Sequence, residues 1–230
     1  MRDIIRAIVD KESMFELKAS FGKSIVTALA RLEGKSIGVL ANNPKFKGGA
    51  IDVDACRKAT SFFVHCDSFN IPIVMLVDQP GFLIGPEGEK RAAPGMIINW
   101  MNALTLCTVP KISVVVRKNY GQGYLNMGGG RNSDELILWP TAELGFMDPV
   151  VAVNILYRIQ EKDDPERFKQ LRDELERDTT PWDLAGLYES QMVIDPRDTR
   201  AVLVRMLEVY RMASNNGVGK HLLQNWPTSY

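Results

Sequence analysis

Residues 114–140 read VVVRKNYGQGYLNMGGGRNSDELILWP, and this stretch decides which fold the chain can build. It opens as three consecutive valines, breaks into five glycines between Gly121 and Gly130, and resumes as the apolar run ELIL. An unbroken apolar run is how a strand covered on both faces reads. Two such strands separated by a glycine-rich segment belong to a layered sheet rather than to a hairpin.

The pattern repeats outward from there. Strands are predicted at Ser36–Ala41, Ile73–Asp78, Ile112–Val116, Glu135–Leu138, Leu144–Met147 and Met192–Ile194. Helices are predicted at Val53–Phe69, Lys90–Leu106, Val150–Gln160, Pro165–Arg177 and Arg197–Met212. In the first helix Val53, Cys56, Ala59, Phe63, Cys66 and Phe69 recur at helical spacing, and Asp52 is placed to cap it. Pro149, Pro165 and Pro196 stand at helix starts, where the missing N–H costs nothing. This alternation predicts an α/β fold. The whole chain, 1–230, is read as one domain, without repeats or a long linker.

Composition narrows the function. Lys+Arg and Asp+Glu both number 28, so nothing attracts the chain globally to nucleic acid or to an anionic membrane. No apolar segment approaches the roughly 18 residues of a membrane span, and the charged opening MRDIIRAIVDKESMFEL is unlike a signal peptide. The three cysteines, Cys56, Cys66 and Cys107, have no CxxC spacing, which argues for a reduced compartment rather than a disulfide framework or a zinc site. His65 and His221 are the only histidines, and His65, among Phe62, Phe63 and Cys66, reads as a helix packing residue.

Two strand ends carry candidate chemistry, since ligands of open α/β sheets collect there. After Asp78, Pro80 and Gly81 force a turn, with Gly85 and Gly88 following. At the second end neither a phosphate loop nor a GxGxxG fingerprint is present, because position 126 is Asn126. What remains is a strand-to-helix turn whose Gln122 and Gly123 amides face a developing anion, glycine letting a carbonyl approach the backbone. Gly128–Gly130 read either as part of that device or as glycines that permit close packing. No Ser–His, Cys–His or paired-carboxylate arrangement stands beside either turn, which, for an enzyme, leaves the proton to something other than a protein side chain.

The segments FGKSIVTALARLEGKSIGVLANNPKFKGGAIDVDACRKATSFFVHCDSFNIPIVMLVDQPGF, LIGPEGEKR, VPKISVVVRKNYGQGYLNMGG, WPTAELGFMDPVVAVNIL and DPRDTRAVL resemble, in order, one known family. It is the carboxyltransferase component of biotin-dependent acyl-CoA carboxylases, of the propionyl-CoA carboxylase beta-subunit type. The resemblance implies a crotonase-like fold, a spiral of ββα units. It identifies this chain with the carboxyl-terminal, biotin-receiving domain, whose complementary amino-terminal domain, which holds acyl-CoA, is expected on another polypeptide or segment. It also implies a homo-oligomer, a dimer-based hexamer when complete, in the cytoplasm or a mitochondrial matrix.

The chemistry implied is transfer of a carboxyl group from carboxybiotin to the α-carbon of an acyl-CoA, propionyl-, acetyl- or related. The Gln122 and Gly123 amides would stabilise the biotin ureido oxyanion, and the biotin nitrogen would act as base. The resemblance puts Gly121, Tyr124, Pro80, Gly81 and Phe82 around biotin, and Leu125 and Gly85 at the acyl pocket. With no Met-Lys-Met site, biotin must arrive in trans on a biotin carboxyl carrier, and ATP-dependent carboxylation belongs to a separate biotin carboxylase. Two departures stand out. Gly121-Gln122-Gly123 replaces a common Gly-Gly-Ala, and Leu125 replaces an Asp frequent in propionyl-type relatives. Alternatives are the carboxyltransferase of a sodium-pump decarboxylase, a non-catalytic assembly module and, more weakly, a stand-alone crotonase-type hydratase. Val150–Tyr157 and the stretch around Met96 and Met101 read as docking face or core, and Trp226 as a tail anchor.

Overall fold

The computed structural model describes residues 1–83, 85–177, 180–213 and 221–223. Eight strands form one sheet: β1 (Phe15–Leu17), β2 (Ile25–Leu32), β3 (Lys35–Asn42), β4 (Ile73–Gln79), β5 (Lys111–Tyr120), β6 (Glu135–Leu138), β7 (Glu143–Gly145) and β8 (Met192–Val193). The order is β1-β2-β3-β4-β5-β6-β8, with β7 paired to β5. The first three strands are antiparallel and the rest are parallel. The helices are α1 (Arg2–Ile8), α2 (Val53–Ser68), α3 (Pro86–Lys90), α4 (Ala93–Leu106), α5 (Gln122–Asn126), α6 (Pro149–Ala152), α7 (Pro165–Glu176), α8 (Pro181–Gly186) and α9 (Thr199–Ala213).

The apolar runs are apolar because both faces are covered. Ile73, Met75 and Val77 of β4 point into a core shared with Phe63 of α2 and Trp100 of α4. Val74 and Leu76 point the other way, into a core with Ile5 of α1 and with Leu203 and Leu207 of α9. β4 thus serves two cores at period two. Asp52 caps α2 by accepting from the Ala55 N–H at 3.0 Å, as its position predicts. Asp148, Asp164 and Asp195 do the same ahead of Pro149, Pro165 and Pro196.

The sequence reading omits β1 and β2 of the antiparallel edge and the helices α1, α3 and α8, and it misjudges several boundaries. The β2–β3 hairpin turns at Glu33 and Gly34, with φ of 50° and 74°. Glutamate is an unusual first residue for such a turn, which is why the signal is weak. The turn is held from outside: the Asp10 carboxylate accepts from the Glu33 and Gly34 N–H groups at 3.0 and 2.8 Å, and Arg200 reaches the same carboxylate at 2.7 Å. The expected helix Lys90–Leu106 is broken at Ala92, which is left-handed (φ 56°): Pro94 has no N–H to donate to the Lys90 carbonyl and its ring would clash with it, so the helix restarts with Pro94 in its first turn. The expected Val150–Gln160 helix is α6 followed by a π turn, Val153–Tyr157, that stops at left-handed Arg158. Its Ile155 and Leu156 are exposed, so no core sustains a regular helix there. Of the two readings of the Met96 stretch, Met96 takes the core one; Met101 is half-buried. Trp226 lies outside the described residues.

Candidate functional site

β5 is twice as long as its apolar core suggests, and its second half makes the site. Residues 112–115 pair with β6, and residues 118–120 pair with β7. The polar end Arg117-Lys118-Asn119 stays in the strand because each side chain has a partner. Arg117 pairs with Asp78 through bonds of 3.1 and 3.2 Å, and Lys118 reaches Asp148 at 2.6 Å. Asn119 Oδ1 accepts from Gln79 Nε2 at 2.7 Å. The Asp78 carboxylate holds the neighbouring Arg117 guanidinium above its ordinary pKa, so this cation is fixed at any working pH.

Gly121 turns the chain out of β5 with φ 61° and ψ −147°, and its N–H donates to the Gly145 carbonyl at 3.0 Å. α5 begins at once. Among the described residues the Gln122 and Gly123 N–H groups have no acceptor, as expected for the first residues of a helix, whereas Tyr124 N–H already bonds Gly121 at 3.0 Å. A groove of about 570 Å³ opens here, lined by Gly121, Gln122, Tyr124 and Leu125 together with Leu144, Gly145, Phe146, Leu184 and Glu189. Its apolar wall includes Phe146, which is 87% exposed. Glu189 is the carboxylate of this wall, and it accepts the Tyr124 hydroxyl at 3.2 Å. Burial, first, and then Glu189 raise the Tyr124 pKa, so this phenol stays protonated. The arrangement can bind an apolar ring system and offer backbone donors to an oxyanion.

The structure brings Gly121, Gln122, Tyr124 and Leu125 together but not the residues after β4. Gly81 is in positive φ (123°), yet Phe82 turns inward, edge-on to Trp100 with ring centroids 6.1 Å apart. The segment is stitched to Ile51 by two backbone bonds, Ile51 N–H to Gly81 at 3.0 Å and Leu83 N–H to Ile51 at 2.8 Å. Gly85 borders a separate cleft of about 240 Å³ with Lys47, Asp52 and Arg91. Pro80 and Gly81 line neither space.

Gly123 has a different physical reason from the one expected, while Gly128–Gly130 follow the packing reading. A methyl on Gly123 would meet the Gln79 amide carbon at 2.5 Å, and one on Gly129 would overlap the Tyr124 ring. A methyl on Gly128, at φ 91°, would meet the Met75 methyl at 2.7 Å. Gly128–Gly130 therefore permit close packing, and Gly123 accommodates a buried side chain beneath the turn rather than a ligand above it. Gln79, Phe146, Leu144, Leu184 and Glu189 were not legible as site residues, because only the tertiary fold brings them to this turn. The cysteines are buried, and burial pushes the Cys56 and Cys107 thiols up to about 12, so neither supplies a thiolate nucleophile. His65 is half-buried on α2 with its ring 5.0 Å from Phe69.

A family model described as the carboxyl transferase domain matches residues 1–221. This chain belongs to that family. It is 40% identical to the methylmalonyl-CoA carboxyltransferase 12S subunit of Propionibacterium freudenreichii subsp. shermanii, covering 91% of this chain and 41% of that one. It is 35% identical to methylmalonyl-CoA decarboxylase subunit alpha of Veillonella parvula, covering 96% and 43%. A transcarboxylase 12S crystal structure, described as a hexamer with methylmalonyl-coenzyme A and methylmalonic acid bound, superimposes with a TM-score of 0.88. That match has 36% identity and covers 99% of this chain and 44% of the other. The crotonase-like carboxyltransferase fold expected from the resemblance is thus the observed one. The chain spans about two fifths of the length of the curated relatives it matches. Among the described residues no helix is long and apolar enough to cross a membrane.

Proposed function

We propose that this chain is the biotin-receiving half of a carboxyltransferase site that moves a carboxyl group between biotin and the α-carbon of an acyl-CoA. The observation that carries this reading is the glycine turn after β5, where two N–H groups without acceptors among the described residues stand beside an apolar groove. The groove suits biotin chemically: an apolar wall for a ring system, backbone donors for a ureido oxygen, and a carboxylate already engaged by Tyr124. Bound there, carboxylated biotin would supply the carboxyl group and afterwards the base for the acyl α-proton.

The protein's part is positional and electrostatic. The Gln122 and Gly123 amides hold negative charge on one oxygen, each contributing about 3 kcal/mol to the transition state. The Tyr124 ring and Leu125 exclude water and orient the bound ring. Leu125 also makes the pocket floor apolar, favouring acyl chains without polar groups. The acyl-CoA, a complementary amino-terminal domain, a biotin carboxyl carrier and a biotin carboxylase are supplied by other segments or chains, in a hexameric assembly like that named for the 12S relative. The likeness to a methylmalonyl-CoA decarboxylase supports a second reading, the same half-site run toward decarboxylation.

The test is product formation from carboxybiotinylated carrier and acyl-CoAs of graded length, with and without a complementary acyl-CoA-binding domain. Carboxylated acyl-CoA formed only with the complement, and a length profile altered by Leu125→Asp, are the expected results. No product in either arm would overturn the half-site reading.

A further inference from the structure

Gln79 closes β4 and is fully buried. Its Nε2 donates to Asn119 Oδ1 at 2.7 Å and to the Tyr120 carbonyl at 3.2 Å. Both acceptors belong to β5, the strand that delivers the glycine turn. These bonds fall where the β4–β5 ladder shifts register, between Val77 and Gln79. The side chain therefore ties the two strands where the backbone ladder is interrupted.

The other end of the amide faces the turn. Among the described residues Gln79 Oε1 is buried with no hydrogen-bond partner. The Cβ that Gly123 lacks would lie 2.5 Å from the Gln79 amide carbon and 2.6 Å from Nε2. Gly123 is not in a left-handed conformation, so backbone geometry does not demand glycine there. A buried acceptor without a partner is unfavourable, and an apolar side chain of similar size would avoid it. An amide kept in this place needs a reason beyond filling space.

We propose that Gln79 is a positioning residue of the site: its amide, pinned to Asn119 and Tyr120, supports Gly123 from beneath and fixes where the Gln122 and Gly123 N–H groups stand. Gly123 is glycine because Gln79 occupies the space of its side chain, and the two positions act as one unit. This rests on the carboxyltransferase reading for its consequence in catalysis, but not for its geometry.

The experiment uses the full chain as Gly123→Ala, Gln79→Ala, the double variant and Gln79→Met. Two things are measured: the amide resonances of Gln122 and Gly123, and carboxyl transfer with the complementary domain supplied. Gly123→Ala is expected to shift both resonances and to lower kcat about tenfold or more, with KM for acyl-CoA little changed. Adding Gln79→Ala is expected to restore part of both, so that the double variant outperforms the product of the singles. Gln79→Met keeps the volume and loses the donors; it should fold and still displace the resonances. Strictly additive effects, or Gln79→Met resonances and kcat matching the parent, would overturn the proposal. Resonances that shift and recover while transfer stays constant in every variant would uphold the positioning by Gln79. They would sink the oxyanion role of the turn instead.

Discussion

The turns after β4 and β5 leave neighbouring parallel strands, and both contain glycine in positive φ, yet they have opposite fates. After β4, Gly81 sends Phe82 inward against Trp100, and backbone bonds to Ile51 close the segment onto the molecule. After β5, Gly121 sends α5 along the surface, where Tyr124 and Leu125 wall an open groove. The difference lies in what each turn meets. The first meets the α2/α4 core, while the second meets Gly145 and Phe146, which offer a carbonyl to bond and an exposed ring. A strand end becomes a site when its successor stays unclaimed by the core.

Breaking the support of the β5 turn should cost the most stability. Gly128→Ala forces a methyl into a left-handed residue and against Met75, Ser133 and Ser113. The expected loss is about 3 kcal/mol, read by denaturant unfolding. A loss under about 1 kcal/mol would mean that these glycines are not packing glycines. Phe82→Ala should follow at about 2 kcal/mol, since Phe82 is only partly buried. The folded variant should keep carboxyl transfer close to the parent rate, whereas a large selective loss of transfer would return Phe82 to the site.

Lys58 gives a comparison free of both turns. It is 1% exposed, and its Nζ donates to the Ile25 carbonyl at 2.7 Å. Burial pushes its pKa down to about 8 from the ordinary 10.5. The unfolded chain therefore holds the proton between those two values while the folded chain releases it, so stability from this group rises with pH across that window. Lys58→Met should remove a rise on the order of 1–2 kcal/mol, measured as the difference between the two unfolding curves at pH 8 and pH 10. Identical pH profiles would show that the folded-state proton is not displaced.

Much of the architecture was legible because burial on both faces writes itself into composition. IVMLV and ISVVV could only be strands between two layers, and Asp52, with the spacing after it, announced α2. The β2–β3 hairpin was missed because its turn depends on Asp10 and Arg200, which are remote in sequence. The length of β5 was missed because Arg117, Lys118 and Asn119 look like a loop until Asp78, Asp148 and Gln79 are placed beside them.

The sequence by itself determined the family, the two-faced sheet and the position of the glycine turn, because these depend on local pattern and on motifs in order. Only the tertiary structure decided which strand end opens, which glycines serve packing, and that Gln79 lies under Gly123. These depend on side chains brought together from separate strands, and a glycine that packs closely does not say which remote residue fills the space beside it.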